Sequence, residues 1–359
     1  MNTLMVASTR PYTGKSGIVL ALAELLQTTG RSVAYFKPYG TMPATVDGVH
    51  TDLDAAYISR HIAASAPLDV VCPVVETAAF IEGVVAGRVT DLTSEVRSAF
   101  DHVAEGSETV LVEGPSDLFQ GRTVGLSLAE VAELLHARVL LVTPGERTHL
   151  PDDVLCAADL LGDRLCGVLF NAVHPAVRDF VDHRAIPFLT GRGIKVYGCV
   201  PRDPSLAAVT VAEVAEALDG TVLSAESALN NTAESFMVGA MGQDKALRHF
   251  RRRPRKIVIT GGDRADVQLA ALETDTRALV LTGDLAPSPI VLSRAEELGV
   301  PMILVALDTL SAIEKIEGLF GRMRIHDPVK VARIREMLSE AVDVEALLST
   351  ASGTGDDPC

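Results

Sequence analysis

Short apolar runs alternate with amphipathic segments almost from the first residue of the chain. The runs are too apolar to face water, which is typical of strands in a parallel sheet that helices cover on both faces. Because crossovers between parallel strands are right-handed, the alternation predicts a doubly wound, mostly parallel α/β sheet. The predicted strands are Thr3–Ala7, Ser32–Phe36, Thr109–Glu113, Val139–Thr143, Gly167–Phe170 and Lys195–Cys199. The predicted helices are Lys15–Thr28, Asp54–Ala63, Glu76–Gly87, Leu92–Ala104, Leu128–His136 and Asp152–Leu160.

A stretch of small and polar residues, Asp219–Glu234, interrupts this alternation and has the composition of a domain boundary. A second, smaller α/β domain is predicted after it, and a helical stretch, Pro328–Leu348, is expected to pack on a domain or a partner subunit. The second domain's predicted elements are strands Arg255–Thr260, Arg277–Leu281 and Met302–Val305, and helices Ala265–Leu272, Ile290–Leu298 and Leu310–Phe320. The predicted domains are therefore residues 1–220 and 221–348, followed by a disordered tail, 349–359.

The composition is that of a globular protein, with 48% hydrophobic and 22% charged residues in a chain of 359. The formal net charge is −15 at pH 7, which argues against nucleic acid or an anionic membrane as the main partner. No apolar run reaches the roughly 18 residues of a membrane span. No leader-like segment precedes the first predicted strand, so a cytoplasmic location is expected.

The five cysteines are scattered along the chain without a C-x-x-C pair. Cys166 and Cys199 lie in or beside predicted strands. Buried, reduced thiols are therefore expected rather than a disulfide framework or a zinc site.

The stretch Thr9-Arg-Pro-Tyr-Thr-Gly-Lys-Ser16 matches the phosphate-loop template G-x-x-x-x-G-K-[ST] at every fixed position except the first, where Thr9 replaces glycine. It follows an apolar predicted strand and precedes a strongly apolar predicted helix. Since a helix N-terminus presents unpaired N–H groups and the positive dipole end, this order predicts phosphate binding. An ordinary turn is the alternative. The predicted nucleotide-binding residues of the loop are Thr9, Thr13, Gly14, Lys15, Ser16 and Gly17.

Further stretches in the same order resemble dethiobiotin synthetases and the N-terminal domain of long phosphate acetyltransferases, which also carry threonine at the first template position. These stretches are Ala34-Tyr-Phe-Lys-Pro38, Thr51-Asp-Leu-Asp-Ala-Ala-Tyr57, Val110-Leu-Val-Glu-Gly-Pro115 and Gly167-Val-Leu-Phe-Asn171. The resemblance covers about the first 220 residues. It implies a P-loop fold that binds ATP and Mg²⁺, and a homodimer or higher homo-oligomer. The residues themselves leave GTP open as well.

Three polar residues, Lys37, Glu113 and Asn171, lie at the carboxyl ends of predicted strands, the edge where open parallel sheets bind ligands. By resemblance, Lys37 joins Lys15 as a catalytic cation that stabilises the transferring phosphoryl group. The amide of Asn171 is suited to the edge of adenine. Their alternative roles are an exposed strand end and a turn residue.

A magnesium site is implied by the same resemblance. Its ligands would be the Ser16 hydroxyl and the carboxylates of Asp54 and Glu113, with Asp52 a near alternative to Asp54. Hard oxygen ligands of this kind suit Mg²⁺, which keeps several of its waters. The alternative role of the aspartate is to cap a helix.

The sequence departs from dethiobiotin synthetases on the substrate side of the site. The loop interior, Arg10-Pro-Tyr-Thr13, is bulkier and more basic, and Glu113-Gly114 is followed by Pro115-Ser-Asp117 instead of glycines. Nucleotide binding is therefore expected to be shared with that family, and biotin synthesis is not.

Two glycine turns in the second domain, Thr260-Gly-Gly-Asp-Arg-Ala-Asp266 and Leu281-Thr-Gly-Asp-Leu285, resemble the DRTGG-type domain together with Phe236-Met-Val-Gly-Ala-Met241. That resemblance implies a ligand-sensing or oligomer-forming module. Because the aspartates would repel phosphate, a small polar or nucleoside ligand is as consistent as an anion. The alternative is a pair of ordinary strand-to-helix turns. The candidate ligand residues are Gly261, Gly262, Asp263, Asp266 and Gly283.

Three hypotheses of function follow. The altered loop interior and the absence of a recognisable acceptor site favour a nucleotide-dependent regulator with weak ATPase activity. The intact Lys15, Ser16, Lys37 and Glu113 favour an ATP-dependent ligase or phosphoryl-transfer enzyme, with a small acceptor near Lys37 and Arg10. A third hypothesis is a subunit partner of a separate acetyltransferase. Acetyl transfer itself is not expected. It would need the catalytic domain of the long enzymes, which would follow residue 348 and is absent from this sequence.

Overall fold

The computed structural model describes residues 1–89, 91–147, 150–320 and 327–351. The chain divides into two compact units, Met1–Arg202 with Ile325–Cys359, and Asp203–Arg324. The sequence instead predicts a division at 220/221. The structure differs because Val211, Val214 and Leu218 are buried in the core of the second unit.

The first unit is built on a six-stranded sheet in which all strands run parallel. This confirms the predicted doubly wound α/β fold. The central strands are buried on both faces, as their apolar sequences require. The strands are β1 (Asn2–Ser8), β2 (Val33–Phe36), β3 (Tyr39–Gly40), β4 (Pro43–Val46), β5 (Val49–Asp52), β6 (Val74–Val75), β7 (Thr109–Glu113), β8 (Arg138–Pro144), β9 (Leu165–Val173) and β10 (Val196–Pro201). The spatial order of the large sheet is β10-β9-β8-β1-β7-β2.

The helices of this part cover the sheet, and their bounds differ from the predicted ones by a few residues. Helix α1 matches its predicted bounds, and α6 begins with a capping box made by Ser127 and Glu130. The helices are α1 (Lys15–Thr28), α2 (Leu53–His61), α3 (Leu68–Val71), α4 (Ala78–Val85), α5 (Thr93–Ala104), α6 (Leu128–Leu134), α7 (Leu150–Leu161), α8 (Pro175–Phe180) and α9 (Ile186–Thr190).

Strands β4 and β5 form a hairpin that the strand predictions miss. Its turn is Asp47-Gly48, and both residues have positive φ, 52° and 82°. An Asp-Gly pair is the usual sequence of such a two-residue turn, so the signal was present in the sequence. The hairpin ends at Asp52, which begins α2 as its N-cap.

The second unit holds a five-stranded sheet in the order β12-β17-β16-β15-β14. Strands β14 to β17 are parallel, and β12 pairs with β17 in the antiparallel direction. The strands are β11 (Val209–Thr210), β12 (Thr221–Val222), β13 (Thr232–Ala233), β14 (Ser235–Val238), β15 (Lys256–Gly261), β16 (Thr276–Thr282) and β17 (Met302–Leu304). The helices are α10 (Val211–Ala217), α11 (Gln243–Phe250), α12 (Ala265–Leu272), α13 (Pro289–Leu298) and α14 (Thr309–Phe320).

The predicted boundary stretch, Asp219–Glu234, lies inside the second unit. It contains β12 and β13, and Ala233 is fully buried in the core. A polar composition therefore marked loops within one domain and not a linker.

The C-terminal segment belongs to the first unit and forms two helices, α15 (Pro328–Ala341) and α16 (Val344–Ala351), where one was predicted. Extended backbone at Val342 separates them, and the Asp343 carboxylate accepts the Ala346 N–H to begin α16. Helix α16 extends into the predicted tail, where Ser349 bonds back to the Ala346 carbonyl. The rest of that tail, 352–359, lies outside the described residues.

Three of the cysteines, Cys72, Cys166 and Cys199, are buried free thiols, as predicted, whereas Cys156 is exposed on α7. Cys359 lies outside the described residues. In the part of the chain that the structure describes, no helix is both long enough and apolar enough to cross a membrane.

Candidate nucleotide-binding site

The phosphate loop, residues 9–16, connects β1 to α1 at the carboxyl edge of the large sheet. From β1 the chain crosses over to β2 on one side of the sheet, while β8 and β9 continue on the other side. The loop therefore lies where the strand order reverses, the position at which open α/β sheets bind ligands.

The loop leaves the N-terminus of α1 open. Gly14 is the N-cap, with a left-handed φ of 84°, and no side chain caps the helix. Nearby, the Thr13 hydroxyl is buried without a hydrogen-bond partner in the described structure. Unpaired N–H groups, the positive dipole end and an unpaired hydroxyl together fit a phosphate group.

Thr9 stands where the template has glycine, and its hydroxyl lies 3.1 Å from the hydroxyl of Thr143. Both side chains are buried. Threonine at this position therefore joins the start of the loop to the end of the neighbouring strand β8.

Lys15 is buried, and its ammonium donates to the Pro115 carbonyl in the loop after β7. Burial lowers the pKa of Lys15 to about 8, and the Glu113 carboxylate offsets this only in part. The side chain is thus held at the carboxyl edge of the sheet beside the open helix end.

The Ser16 hydroxyl lies within hydrogen-bond distance of two carboxylate oxygens, Asp54 Oδ2 at 3.1 Å and Glu113 Oε1 at 2.9 Å, and its one hydrogen is donated to either of them. The three predicted metal ligands therefore lie together. Burial raises the pKa of Asp54 to about 6, although the Lys37 ammonium acts in the opposite direction. Among the described residues no group of three or more His, Cys, Asp or Glu side chains could hold a metal ion. A hydroxyl with two carboxylates still fits Mg²⁺, which takes few protein ligands and keeps its waters.

Lys37, at the end of β2, is buried between two carboxylates. Its Nζ lies 2.8 Å from Asp52 Oδ1 and 3.3 Å from Glu113 Oε1. Burial acts to lower the pKa of Lys37, but Glu113 and Asp52 raise it above the ordinary lysine value. Lys37 is therefore a fixed positive charge that shares an oxygen of Glu113 with Ser16.

Asp52, the near alternative for the metal, has its oxygens engaged elsewhere. Besides Lys37, it accepts backbone N–H groups from Thr41, Met42 and Ala55. Burial would raise the pKa of Asp52, but the lysine and these N–H groups hold it below its ordinary value. Asp54 is therefore the aspartate that faces Ser16.

Tyr35 is a site residue that the sequence analysis misses. It is almost fully buried in β2, and its hydroxyl donates to Glu113 Oε2 at 2.9 Å. The hydroxyl leaves the other oxygen of Glu113 to Ser16 and Lys37. The available signal was the strand register, because Tyr35 lies two residues before Lys37 on one side of β2.

Asn171, the residue predicted to bind adenine, contacts the loop in this structure, since its Nδ2 donates to the Thr13 carbonyl at 2.7 Å. Arg10 does not approach Lys37. It pairs with Asp153 at 2.7 Å and Glu146 at 3.2 Å, on the β8 side of the loop. The predicted acceptor site between Arg10 and Lys37 is therefore not assembled in this structure.

In the second unit, the two predicted glycine turns follow adjacent parallel strands, β15 and β16. A Cβ on Gly262 would lie 1.6 Å from the Leu285 carbonyl oxygen, so the turns are in close backbone contact and require glycine there. Gly283 has a left-handed φ of 83°. The structure thus brings the predicted glycines together at one sheet edge.

Two of the three charged residues of the first turn pair with each other, since Arg264 Nε lies 3.1 Å from Asp266 Oδ1. Gln268, fully buried, donates to the carbonyls of Gly261 and Gly262, and its own Oε1 has no partner in the described structure. The Gln268 side chain therefore holds the backbone of the turn in place, and the charge of Asp266 is neutralised by Arg264.

Comparison with known proteins places these observations in a family. The model of the AAA domain matches residues 2–210, more than half of the chain, and that of the DRTGG domain matches residues 213–319. The first match covers the phosphate loop and the continuous part of the first unit, and the second match covers most of the second unit with its glycine turns.

Curated relatives include the phosphate acetyltransferases of Synechocystis sp. and Pseudomonas aeruginosa. They are 23% and 24% identical to this chain, covering 97% of it in each case and 51% and 52% of their own length. The chain therefore spans about half the length of the curated relatives it matches.

A solved structure of the CBS and DRTGG domains of Clostridium perfringens pyrophosphatase, complexed with diadenosine tetraphosphate, is 19% identical over 38% of this chain and 62% of that one. Its TM-score of 0.29 is too low to inform the function of this protein. The family models and the curated relatives confirm the resemblance seen in the sequence. This chain belongs to the AAA domain family, with a dethiobiotin synthetase-like P-loop domain followed by a DRTGG domain, as in the N-terminal region of long phosphate acetyltransferases.

Proposed function

We propose that this protein is a regulator that binds ATP with Mg²⁺ at the phosphate loop and hydrolyses it weakly. The observation that carries the proposal is the Ser16 hydroxyl, joined to Asp54 and Glu113 beside buried Lys15 at an uncapped helix end. These groups supply the positive charge, the hard oxygen ligands and the N–H donors that a nucleoside triphosphate with Mg²⁺ needs.

Each group has a separate task in this proposal. The open end of α1 and the Thr13 hydroxyl would bind phosphate oxygens, and Lys15 would leave the Pro115 carbonyl to reach the outer phosphates. Ser16, Asp54 and Glu113 would hold Mg²⁺, which when bound neutralises phosphate charge. Lys37 stabilises the site electrostatically from its fixed position.

Regulation is favoured over synthesis because of the position of Arg10. Its ion pairs with Asp153 and Glu146 hold it on the β8 side, away from the Lys37 side of the loop. An acceptor would thus meet only one of the two cations that the ligase hypothesis assigns to it. Nucleotide binding needs neither an acceptor nor Arg10.

The second unit would sense a further ligand in this proposal. Its glycine turns present backbone at the carboxyl edge of a parallel sheet, and the pairing of Arg264 with Asp266 reduces the repulsion of an anion. A small polar, nucleoside or nucleotide ligand fits this edge. We also propose a cytoplasmic homodimer, as the resemblance implies, to be measured by light scattering.

The second candidate is an ATP-dependent ligase or phosphoryl-transfer enzyme. Lys37 favours it, because a buried lysine that shares Glu113 with Ser16 is placed to act on a transferring phosphoryl group.

The experiment incubates the full chain with ATP and Mg²⁺ and follows binding by calorimetry and products by chromatography. The regulator predicts magnesium-dependent binding with slow release of ADP and phosphate and no other product. Phosphate transferred to an added acceptor, and abolished by Lys37→Ala, would favour the enzyme. No binding at all would overturn both candidates.

A further inference from the structure

A cavity of about 440 Å³ lies at the amino-terminal edge of the six-stranded sheet, the edge opposite the phosphate loop. It is bordered by the starts of β8 and β9, by the end of α7 and by the residues just before β10. The lining residues that matter here are Arg138, Asp163, Cys166, Gly167 and Lys195.

Two irregularities in strand pairing occur around this cavity. The β8–β9 register shifts between Val139 and Leu140, opposite Cys166, and the β10–β9 register shifts between Val196 and Gly198. Bulges of this kind bend strands and redirect side chains, and they are frequent beside functional sites.

Gly167 lies between the two irregularities and lines the cavity where β9 approaches the segment before β10. Its φ is 153°, and a Cβ there would lie 2.6 Å from the Lys195 carbonyl oxygen. Only glycine therefore lets β9 approach the segment before β10 this closely.

The charges at the cavity are unbalanced. The Arg138 Nε is buried without a hydrogen-bond partner, and no carboxylate among the described residues pairs with its guanidinium. The Lys195 ammonium lies 3.3 Å from the Thr350 hydroxyl and 4.8 Å from the centre of the Tyr197 ring. Asp163 is the carboxylate of the lining, so two cations face one anion in a chain whose net charge is −15.

We propose that this cavity binds a small organic anion through a carboxylate or phosphate group held by Arg138. Arg138 lines the cavity without a carboxylate partner among the described residues, and an anionic oxygen there would supply the missing counter-charge. The planar guanidinium suits both kinds of oxygen group, and Lys195 adds a second, movable charge. The volume lies within the range of small-molecule sites, so it admits an anion with an organic body. This site is independent of the nucleotide site, because it lies at the other edge of the sheet.

The test follows the Arg138 Nε–H resonance by NMR while inorganic phosphate or succinate is added. The full chain carries Lys15→Ala, so that binding at the phosphate loop does not contribute. We expect a saturable shift of that resonance with at least one probe. A response to phosphate alone identifies a phosphorylated ligand, and a response to succinate alone identifies a carboxylate.

Calorimetry with the effective probe then compares three further substitutions in the same chain. Arg138→Gln and Lys195→Gln are each expected to weaken binding, Arg138→Gln by about tenfold or more. Arg184→Gln removes an exposed arginine of the same unit outside the cavity and is expected to change nothing. The proposal is overturned if the Arg138 resonance moves with neither probe, or if Arg138→Gln and Arg184→Gln bind equally well. Because the NMR arm keeps Arg138, it decides the matter even if Arg138→Gln fails to fold.

Discussion

Lys15 and Lys37 are both buried at the phosphate loop, but their charges are stabilised differently. Lys37 touches two carboxylates, whereas Lys15 has a carbonyl partner and a pKa lowered by burial to about 8. A lysine held by a neutral partner is free to exchange it for phosphate, while one between two carboxylates is a fixed part of the site. At the residue scale, the structure therefore distinguishes a lysine with a neutral partner from a lysine held by two carboxylates.

The lowered pKa of Lys15 predicts how nucleotide affinity depends on pH. In the free protein this lysine loses its proton as pH rises through about 8, whereas bound phosphates favour the charged form and raise its pKa. Binding then takes up a proton, and affinity for ATP with Mg²⁺ should fall by up to about tenfold per pH unit above that value. Calorimetry between about pH 7 and about pH 9.5 measures this. A flat profile, or a fall of equal size in Lys15→Ala, would contradict it.

The Tyr35 hydroxyl supports a second prediction, which concerns the position of Glu113. Tyr35→Phe removes the bond to Glu113 and should weaken magnesium-dependent nucleotide binding by about tenfold, as loss of a partner of a metal ligand does. Tyr39→Phe is the matched control, because its hydroxyl donates to another carboxylate, Glu76, at 2.7 Å. Both variants should lose about 1–3 kcal/mol of unfolding free energy, measured in urea. Equal effects on nucleotide binding would show that Tyr35 does not act through Glu113.

At the scale of elements, the β4–β5 hairpin and the β3 strand place the aspartate that holds Lys37. The hairpin ends at Asp52, whose side chain lies against Gly40 in β3. A Cβ at Gly40 would lie 2.6 Å from Asp52 Cβ and 2.8 Å from Cys72 Sγ. The hairpin and β3, which lie outside the large sheet, therefore fix the position of Asp52 and, through it, of Lys37.

Gly40→Ala should accordingly disturb the site as well as the fold. We expect a loss of about 1–3 kcal/mol from overpacking, together with weaker nucleotide binding because Asp52 moves away from Lys37. Gly318→Ala is the control, since no atom lies within 4 Å of its Cβ position and alanine is favoured inside α14. Urea denaturation and calorimetry test both. Unchanged nucleotide binding in Gly40→Ala would contradict this account of the elements.

For the whole molecule, the main feature is that one unit is continuous in sequence and the other is not. After the second unit, the chain returns to the first unit, where α15 packs on α1 and β10. A Cβ on Gly198 would meet the Ala341 carbonyl oxygen at 2.0 Å, which shows how close this packing is. The C-terminal helices are therefore part of the P-loop unit.

Fragments divided in two ways test this arrangement. A fragment of residues 203–324 contains the whole second unit and should unfold cooperatively. A fragment of residues 221–348, the division predicted from sequence, lacks α10 and should be less stable, since it loses the buried Val211, Val214 and Leu218. Thermal unfolding followed by circular dichroism compares them. Greater stability of the second fragment would contradict the assignment.

Much of the fold could be predicted from the sequence, because apolar runs and helical periodicity are local signals. The large sheet and α1 illustrate this. The approach of Ser16 to Asp54 and Glu113 was implied by the family resemblance, and not by a local pattern. The partners of Lys37 and Arg10 could not be predicted, since they depend on which flank of β1 each side chain reaches. The domain boundary also depends on packing. The apolar pattern of Val211 and Leu218 does not tell which of the two units buries them.

The most direct test of the central claim is calorimetric titration of the full chain with ATP in the presence and absence of Mg²⁺. The account predicts saturable, magnesium-dependent binding that is lost in Lys15→Ala and retained in Lys245→Ala, which removes an exposed lysine of the other unit. Binding that Lys15→Ala leaves intact, or no binding by the unaltered chain, would contradict it.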